Sequence, residues 1–197
     1  DICDRWLVSR INSLIDEVAD DYENFRFHYA ARKILDFIVN EFSRIYIKLI
    51  RDEIDESRLK LMLYVLERLI KMLAPMAPFI TDFIYRKFSD SSVHLSSWPK
   101  VERDKIDKNL EDKVKLAREI VNAINSERQR CGVKLRFPIK KAVVYGLRDM
   151  EKKIEEVKEI IKILSNLVDI EFRESRDIEI KPNFARIGKK YRERAQE

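Results

Sequence analysis

Only three glycines and five prolines punctuate the 197 residues, so long uninterrupted helices are the structures this chain is best able to form. The apolar residues are spaced to use that freedom. Leu7, Ile11, Leu14, Ile15 and Val18 predict an amphipathic helix over residues 5–20, with Asp4 as its cap. Phe27, Ala31, Ile34, Ile38, Phe42, Ile45 and Leu49 predict a second helix over 27–50, roughly 36 Å long at 1.5 Å per residue. The acidic turn Asp52, Glu53, Asp55 and Glu56 leads to a third, with Leu59, Met62, Leu63, Leu66, Ile70 and Leu73 facing inward and Pro75 as its stop. Pro78 suits the first turn of a short fourth helix reaching about Phe88, and residues 89–99 read as a polar loop. A fifth helix, with Leu110, Val114, Ala117, Val121 and Ile124 inward, runs to about Arg130 and stops near Gly132. Five such helices can share one core as an antiparallel bundle.

Beyond Pro138 the period changes. Residues 142–145 are short and β-prone, and a helix carrying Met150, Ile154, Val157, Ile161 and Leu164 follows. Val168, Ile170 and Phe172 then alternate with Asp169, Glu171 and Arg173, and residues 178–181 repeat the alternation. The chain therefore reads as mainly α: a helical bundle over residues 1–138, a small β-α-β-β appendage over 139–182, and a basic C-terminal segment over 183–197.

Composition narrows the function classes. Charged residues make up 38% of the chain against 45% hydrophobic, a balance that supports a folded core beneath a highly charged surface. Cys3 and Cys131 stand far apart and outside any CxxC pair, which suits a reducing, cytoplasmic setting and suggests neither a disulfide framework nor a zinc site. The apolar stretch 72–80 is broken by Pro75 and Pro78 and is too short to span a bilayer. His28 and His94 sit in different elements without motif context, and three glycines cannot build a phosphate-binding loop. The acidic groups Asp20, Asp21 and Glu23, and those around Asp52, fall at predicted helix ends and read as solvated turns. No catalytic constellation emerges.

The net charge of +5 is unevenly placed: residues 1–98 carry −2 and residues 99–197 carry +7. Between 128 and 141 stand Arg128, Arg130, Lys134, Arg136, Lys140 and Lys141 with no acid among them. Lys181, Arg186, Lys189, Lys190, Arg192 and Arg194 form a second cluster with Glu193 as its single acid. Clustered cations attract a phosphate backbone far more strongly than an average excess of charge does. Phe137 and Tyr191, one in each cluster, either stack on unpaired bases or belong to a core.

Four stretches, taken in order, carry a resemblance. Asp4-Arg5-Trp6-Leu7 with Ser9-Arg10 comes first, and Phe27 to Ala31 with Phe37 to Tyr46 (FIVNEFSRIY) second. Third is Leu73 to Phe79 (LAPMAPF) with Val93-His94-Leu95 and Trp98-Pro99. Last come Gly132-Val133-Lys134-Leu135-Arg136 before Pro138, and Lys181-Pro182-Asn183-Phe184 before Gly188-Lys189-Lys190. Together they make the chain resemble the anticodon-binding region of class I aminoacyl-tRNA synthetases, most closely the isoleucyl type. The first three are shared with the valyl, leucyl and methionyl types. Ile45 stands where the family often has Trp, and Phe137 where it often has Gln or Trp.

The resemblance implies a non-catalytic module that binds the anticodon stem-loop of an isoleucine-accepting tRNA and works beside the catalytic domain of a longer parent chain. It implies no cofactor in this stretch; ATP and Mg²⁺ belong to the parent reaction. Arg5, Arg10, Arg128, Lys134, Arg136, Lys189 and Lys190 are the candidate phosphate contacts. Two other readings stay open: the same module from a valyl, leucyl or methionyl enzyme, and a basic helical module that binds an acidic protein.

Overall fold

The computed structural model describes residues 1–146, 148–174 and 179–182. Packing divides the chain into two compact units, Asp1–Lys108 and Asn109–Glu197.

The first unit is helical. Helix α1 (Ile2–Glu23) begins earlier than its apolar pattern suggests: Asp1 is the cap, accepting from the Cys3 amide, and Asp4 lies inside the first turn. Asp4 instead accepts a hydrogen bond from the buried Tyr46 hydroxyl at 2.7 Å. Burial and that carboxylate both push the Tyr46 phenol above its ordinary pKa. Trp6, Leu7, Ile11, Leu14, Ile15 and Val18 are buried, and side chains of this size each contribute about 1.5–3 kcal/mol when fully removed from water. Polar residues on the same helix tie down the chain that returns past it. Ser9 Oγ accepts from the Asp107 amide at 2.8 Å, and Asn12 Oδ1 accepts from the Glu102 amide at 2.8 Å.

The turn after α1 is strained at Phe25, a bulky residue with φ of 55° and an exposed ring. Beside it, burial pushes the Asp21 carboxyl up, but hydrogen bonds from Lys33 and Arg26 outweigh burial and hold it below the usual range. Asp21 is therefore no solvated turn residue: it is buried and bridges the turn to α2 (Phe27–Asp36), with Lys33 Nζ at 2.6 Å and Arg26 Nε at 2.9 Å.

The helix continues as a π-wound segment, Phe37–Ile47, and closes in the short α3 (Lys48–Ile50). The wider winding changes which residues face inward. Phe37, Glu41, Ile45, Tyr46 and Ile50 are buried, at spacings that include four and five residues, whereas Ile38, Phe42 and Leu49 from the expected stripe are only half-buried.

Helix α4 (Glu56–Leu73) is capped by Asp55, which accepts from the Arg58 amide at 2.8 Å. Its predicted stripe packs only in part: Ile70 is buried and Met62 and Leu73 are half-buried, but Leu59, Leu63 and Leu66 are exposed, and Val65, Leu69 and Met72 are buried in their place. Pro75 follows its last turn, and Pro78 opens α5 (Pro78–Tyr85). Ile70, Ala74, Tyr85 and Val93 close a small core there.

Asp82 holds the 3-10 turn Val93–Leu95 onto α5 by accepting from Ser92 Oγ at 2.5 Å and the Val93 amide at 3.1 Å. Hydrogen bonds from Ser92, Arg86 and the Val93 amide pull its carboxyl down to about 2. A depressed folded-state pKa stabilises above the ordinary carboxylate value, and that contribution is lost as pH falls toward the folded value. The native chain should melt higher than Asp82→Asn at pH 5, and circular dichroism should show the gap closing between about pH 4 and 2. A gap independent of pH would assign the turn's hold to packing instead.

All but the first residue of helix α6 (Lys108–Arg130), which the sequence assigns to the bundle, lies in the second unit, and its stripe Leu110, Val114, Ala117, Val121 and Ile124 is buried as expected. Strand β1 (Ile139–Gly146) pairs in parallel with β2 (Leu167–Glu174) and antiparallel with β3 (Glu179–Pro182), giving the order β2-β1-β3. A parallel pair requires a crossover, supplied by α7 (Arg148–Glu156) and α8 (Lys158–Ser165) where one helix was expected. Ile154, Val157, Ile160, Ile161 and Leu164 are buried with Val144 and Ile170. Period two holds imperfectly in β2: Leu167 is buried and Val168 exposed.

Candidate nucleic-acid interface

The candidate interface begins where α6 stops. Gly132 adopts φ of 70°, and a Cβ there would meet no neighbouring atom, so conformation rather than space favours glycine. The Val133 amide reaches back to the Arg128 carbonyl at 2.8 Å and the Gly132 amide to the Gln129 carbonyl at 3.0 Å. This is the paired Schellman closure of a helix end. The chain then crosses from 132 to 138 before entering β1.

Arg128 organises that crossing. It is 2% exposed, and its guanidinium donates to the carbonyls of Ser165 at 3.2 Å, Lys134 at 3.0 Å, Leu135 at 3.1 Å, and Phe137. Asn166, left-handed at φ 52°, adds a hydrogen bond from its amide to the Leu135 carbonyl at 2.9 Å. Charge density suggested that Arg128 offers itself to a phosphate; the structure places it inside, holding backbone. Burial lowers its pKa, and its hydrogen-bond partners are carbonyls.

With the carbonyls of 134, 135 and 137 turned toward Arg128, the side chains of Lys134, Leu135, Arg136 and Phe137 are exposed. The Arg136 guanidinium carbon stands 5.0 Å over the Phe137 ring, and that ring is 47% exposed, which removes it from the core. Of the basic run, Arg130 is paired with Glu127 at 2.6 Å and Lys141 with Glu171. Hydrogen bonds from Lys141 and Arg173 pull the Glu171 carboxyl down to about 2. Lys134, Arg136 and Lys140 have no ion-pair partner among the described residues. Among the described residues, three of the six cations in this run are thus both exposed and free of ion pairs.

Two candidates belong to the first unit. Arg5 is exposed and 3.4 Å from Asp107. Arg10 is largely buried, with Nε 2.8 Å from Glu41 and Nη1 3.2 Å from Glu17, so its charge is met within the fold. Lys189, Lys190 and Tyr191 lie outside the described residues, as do the side chains of the rest of that cluster. Among the described residues no His, Cys, Asp or Glu group is arranged to hold a metal ion, and no helix is long and apolar enough to cross a membrane.

The inward placement of Arg10 and Arg128 has a signal in the sequence. Arg128 stands four residues after Ile124, on the inward stripe of α6, and Arg10 stands three after Leu7 and next to Ile11.

A mainly helical unit is followed by a unit whose small sheet is entered through an exposed cationic connector. Residues 4–145 match the anticodon-binding domain of tRNA ligases, and the chain belongs to that family. It is 35% identical to the isoleucine–tRNA ligase of Thermococcus kodakarensis and 36% identical to that of Pyrococcus abyssi. Each match covers 96% of this chain and 19% of the relative, so the chain spans about a fifth of the length of these proteins. It is also 31% identical, over 95% of its length, to the valine–tRNA ligase of Pyrococcus abyssi.

Proposed function

We propose that the chain grips the anticodon stem and loop of an isoleucine-accepting tRNA, as the non-catalytic part of an isoleucine–tRNA ligase whose catalytic domain lies elsewhere in the parent chain. The parent reaction joins isoleucine to tRNA using ATP and Mg²⁺, neither of which this part has to hold. A reducing, cytoplasmic setting suits its two unpaired thiols, Cys3 and Cys131.

The observation that carries the reading is the connector: Lys134 and Arg136, without ion-pair partners among the described residues, are displayed on a backbone fixed from beneath by Arg128, and Lys140 follows at the start of β1. Cations held on a rigid frame meet a phosphate backbone without first losing the freedom of a loop. Lys189 and Lys190, and Arg5 after release of Asp107, stay candidate phosphate contacts in their own right. Arg10 and Arg128 would serve through the frame.

Fluorescence anisotropy of labelled isoleucine tRNA across a salt series tests this. Each phosphate contact contributes roughly 0.7 to 0.9 to the slope of log affinity against log salt. Arg136→Ala should weaken binding and flatten the slope by about one such increment. An unchanged slope would remove Arg136 from the interface. An acidic polypeptide bound as tightly as tRNA at matched salt would overturn the RNA reading. The valine–tRNA ligase match supports a second reading, in which the partner is a valine tRNA; equal affinity for both tRNAs would count against isoleucine specificity.

A further inference from the structure

We infer that Arg44, together with Arg32, forms a separate phosphate-contact face for the backbone of the bound RNA, along α2 and the π-wound segment that continues it. This deepens the RNA-binding reading and rests on it. The face belongs wholly to the first unit, whereas the connector belongs to the second. Arginines of the first unit are otherwise answered by carboxylates: Arg26 meets Asp20 and Asp21, Arg58 meets Asp1 and Glu53, and Arg103 meets Asp16. The same holds for the rest, at distances up to 3.6 Å. Arg32 and Arg44 break the pattern, since both are exposed and neither has an ion-pair partner among the described residues.

Arg44 is held without being neutralised. Its Nη1 donates to Asn40 Oδ1 at 3.0 Å, and Asn40 Nδ2 donates to Asp36 Oδ1 at 2.5 Å. Asp36 fixes the amide and the amide fixes the guanidinium. A carboxylate at position 40 would hold Arg44 as well but would cancel its charge; the amide leaves that charge, and the remaining donors, for a ligand. A guanidinium already in place binds without first losing its side-chain freedom. Asn40 and Arg44 both stand in the π-wound segment, a winding that is rare and recurs at functional sites. Arg32 stands one turn before Asp36, which bonds to Asn40 and forms no ion pair with it. Two guanidiniums against one carboxylate leave the face net positive. They lie at most roughly 18 Å apart at the α-helical rise of 1.5 Å per residue. A single carboxylate would answer one of them, whereas a backbone charged at every nucleotide answers both. The planar fork of each arginine also matches two oxygens of one phosphate.

The test uses the whole chain and labelled isoleucine tRNA, with anisotropy read across a salt series. Arg44→Ala should weaken binding roughly 5- to 10-fold and flatten the slope of log affinity against log salt by roughly 0.7 to 0.9. Arg32→Ala added to it should flatten the slope by a further such step. Asn40→Leu keeps the charge but frees the guanidinium, so it should weaken binding about 3-fold with the slope unchanged. Arg44→Gln keeps the test decisive if Arg44→Ala melts early by circular dichroism. Lys100→Ala removes an exposed lysine that has no ion-pair partner among the described residues and should leave the slope as it is. An equal flattening from Lys100→Ala would show a diffuse field in place of a site. If tRNA binds and the Arg44 variants keep the native slope, the face is wrong and the RNA-binding reading stands. If those variants weaken binding of polyglutamate instead, the face takes an acidic protein and the RNA contact is likewise wrong. If tRNA fails to bind even at low salt, both readings fall.

Discussion

Arg128→Ala is expected to lower the stability of the second unit by about 3 kcal/mol and to free the 132–138 connector. Two effects oppose each other. Removing the guanidinium relieves the chain of burying a cation whose hydrogen-bond partners are all neutral, a burial that costs several kcal/mol. It also strips donors from the carbonyls of Ser165, Lys134, Leu135 and Phe137, at about 1–3 kcal/mol for each that stays dry. The connector is exposed on its outer side and can rehydrate some of these carbonyls by moving, so the loss ends well below the full total. That motion is itself the functional prediction: Lys134, Arg136 and Phe137 lose their fixed placement, and RNA affinity drops more than any single surface cation could explain. Urea unfolding, with hydrogen exchange at the Val133 and Phe137 amides, measures both parts. Unchanged protection at those amides would show that the connector is held by something other than Arg128.

Arg10→Met should cost about 3 kcal/mol for a different reason. Glu41 has 8% of its side chain exposed, inside the π-wound segment, and Arg10 approaches it at 2.8 Å. Without the arginine, a buried carboxylate loses a cation held against it. Replacing both, as Arg10→Met with Glu41→Leu, should recover most of the loss, because two apolar side chains of similar volume avoid the desolvation of two charges. A double-mutant cycle read by urea unfolding would show strong coupling. Additive losses would mean that Arg10 acts through its contact with Glu17 or its hydrocarbon stem.

The helices were legible because their signals are local. Pro78 at the first turn of α5 and Gly132 past the end of α6 act through their own backbone geometry, which the sequence states outright. The face of α4 was not legible, since both of its apolar faces satisfy the same period and only packing decides between Leu63 and Leu69. Nor was the π-winding of Phe37–Ile47, which shifts the buried face without changing composition. At the candidate interface, the run of six cations was plain, but the Glu127 and Glu171 carboxylates that answer two of them lie outside the run. The motifs that carry the family resemblance are largely framework. Trp6 and Leu7 are core, Ser9 holds the chain at Asp107, and Gly132 turns the helix end. Such motifs identify a fold more readily than they identify the atoms that touch a ligand.

Because Arg128 fastens the crossing through main-chain oxygens, the side chains on its far surface are not what keeps it in shape. Positions 134, 136 and 137 can therefore be exchanged, for acids, aromatics or amides, with the scaffold left standing. If the proposed RNA contact holds, a surface built this way can be retuned from one RNA loop to another by altering its display alone.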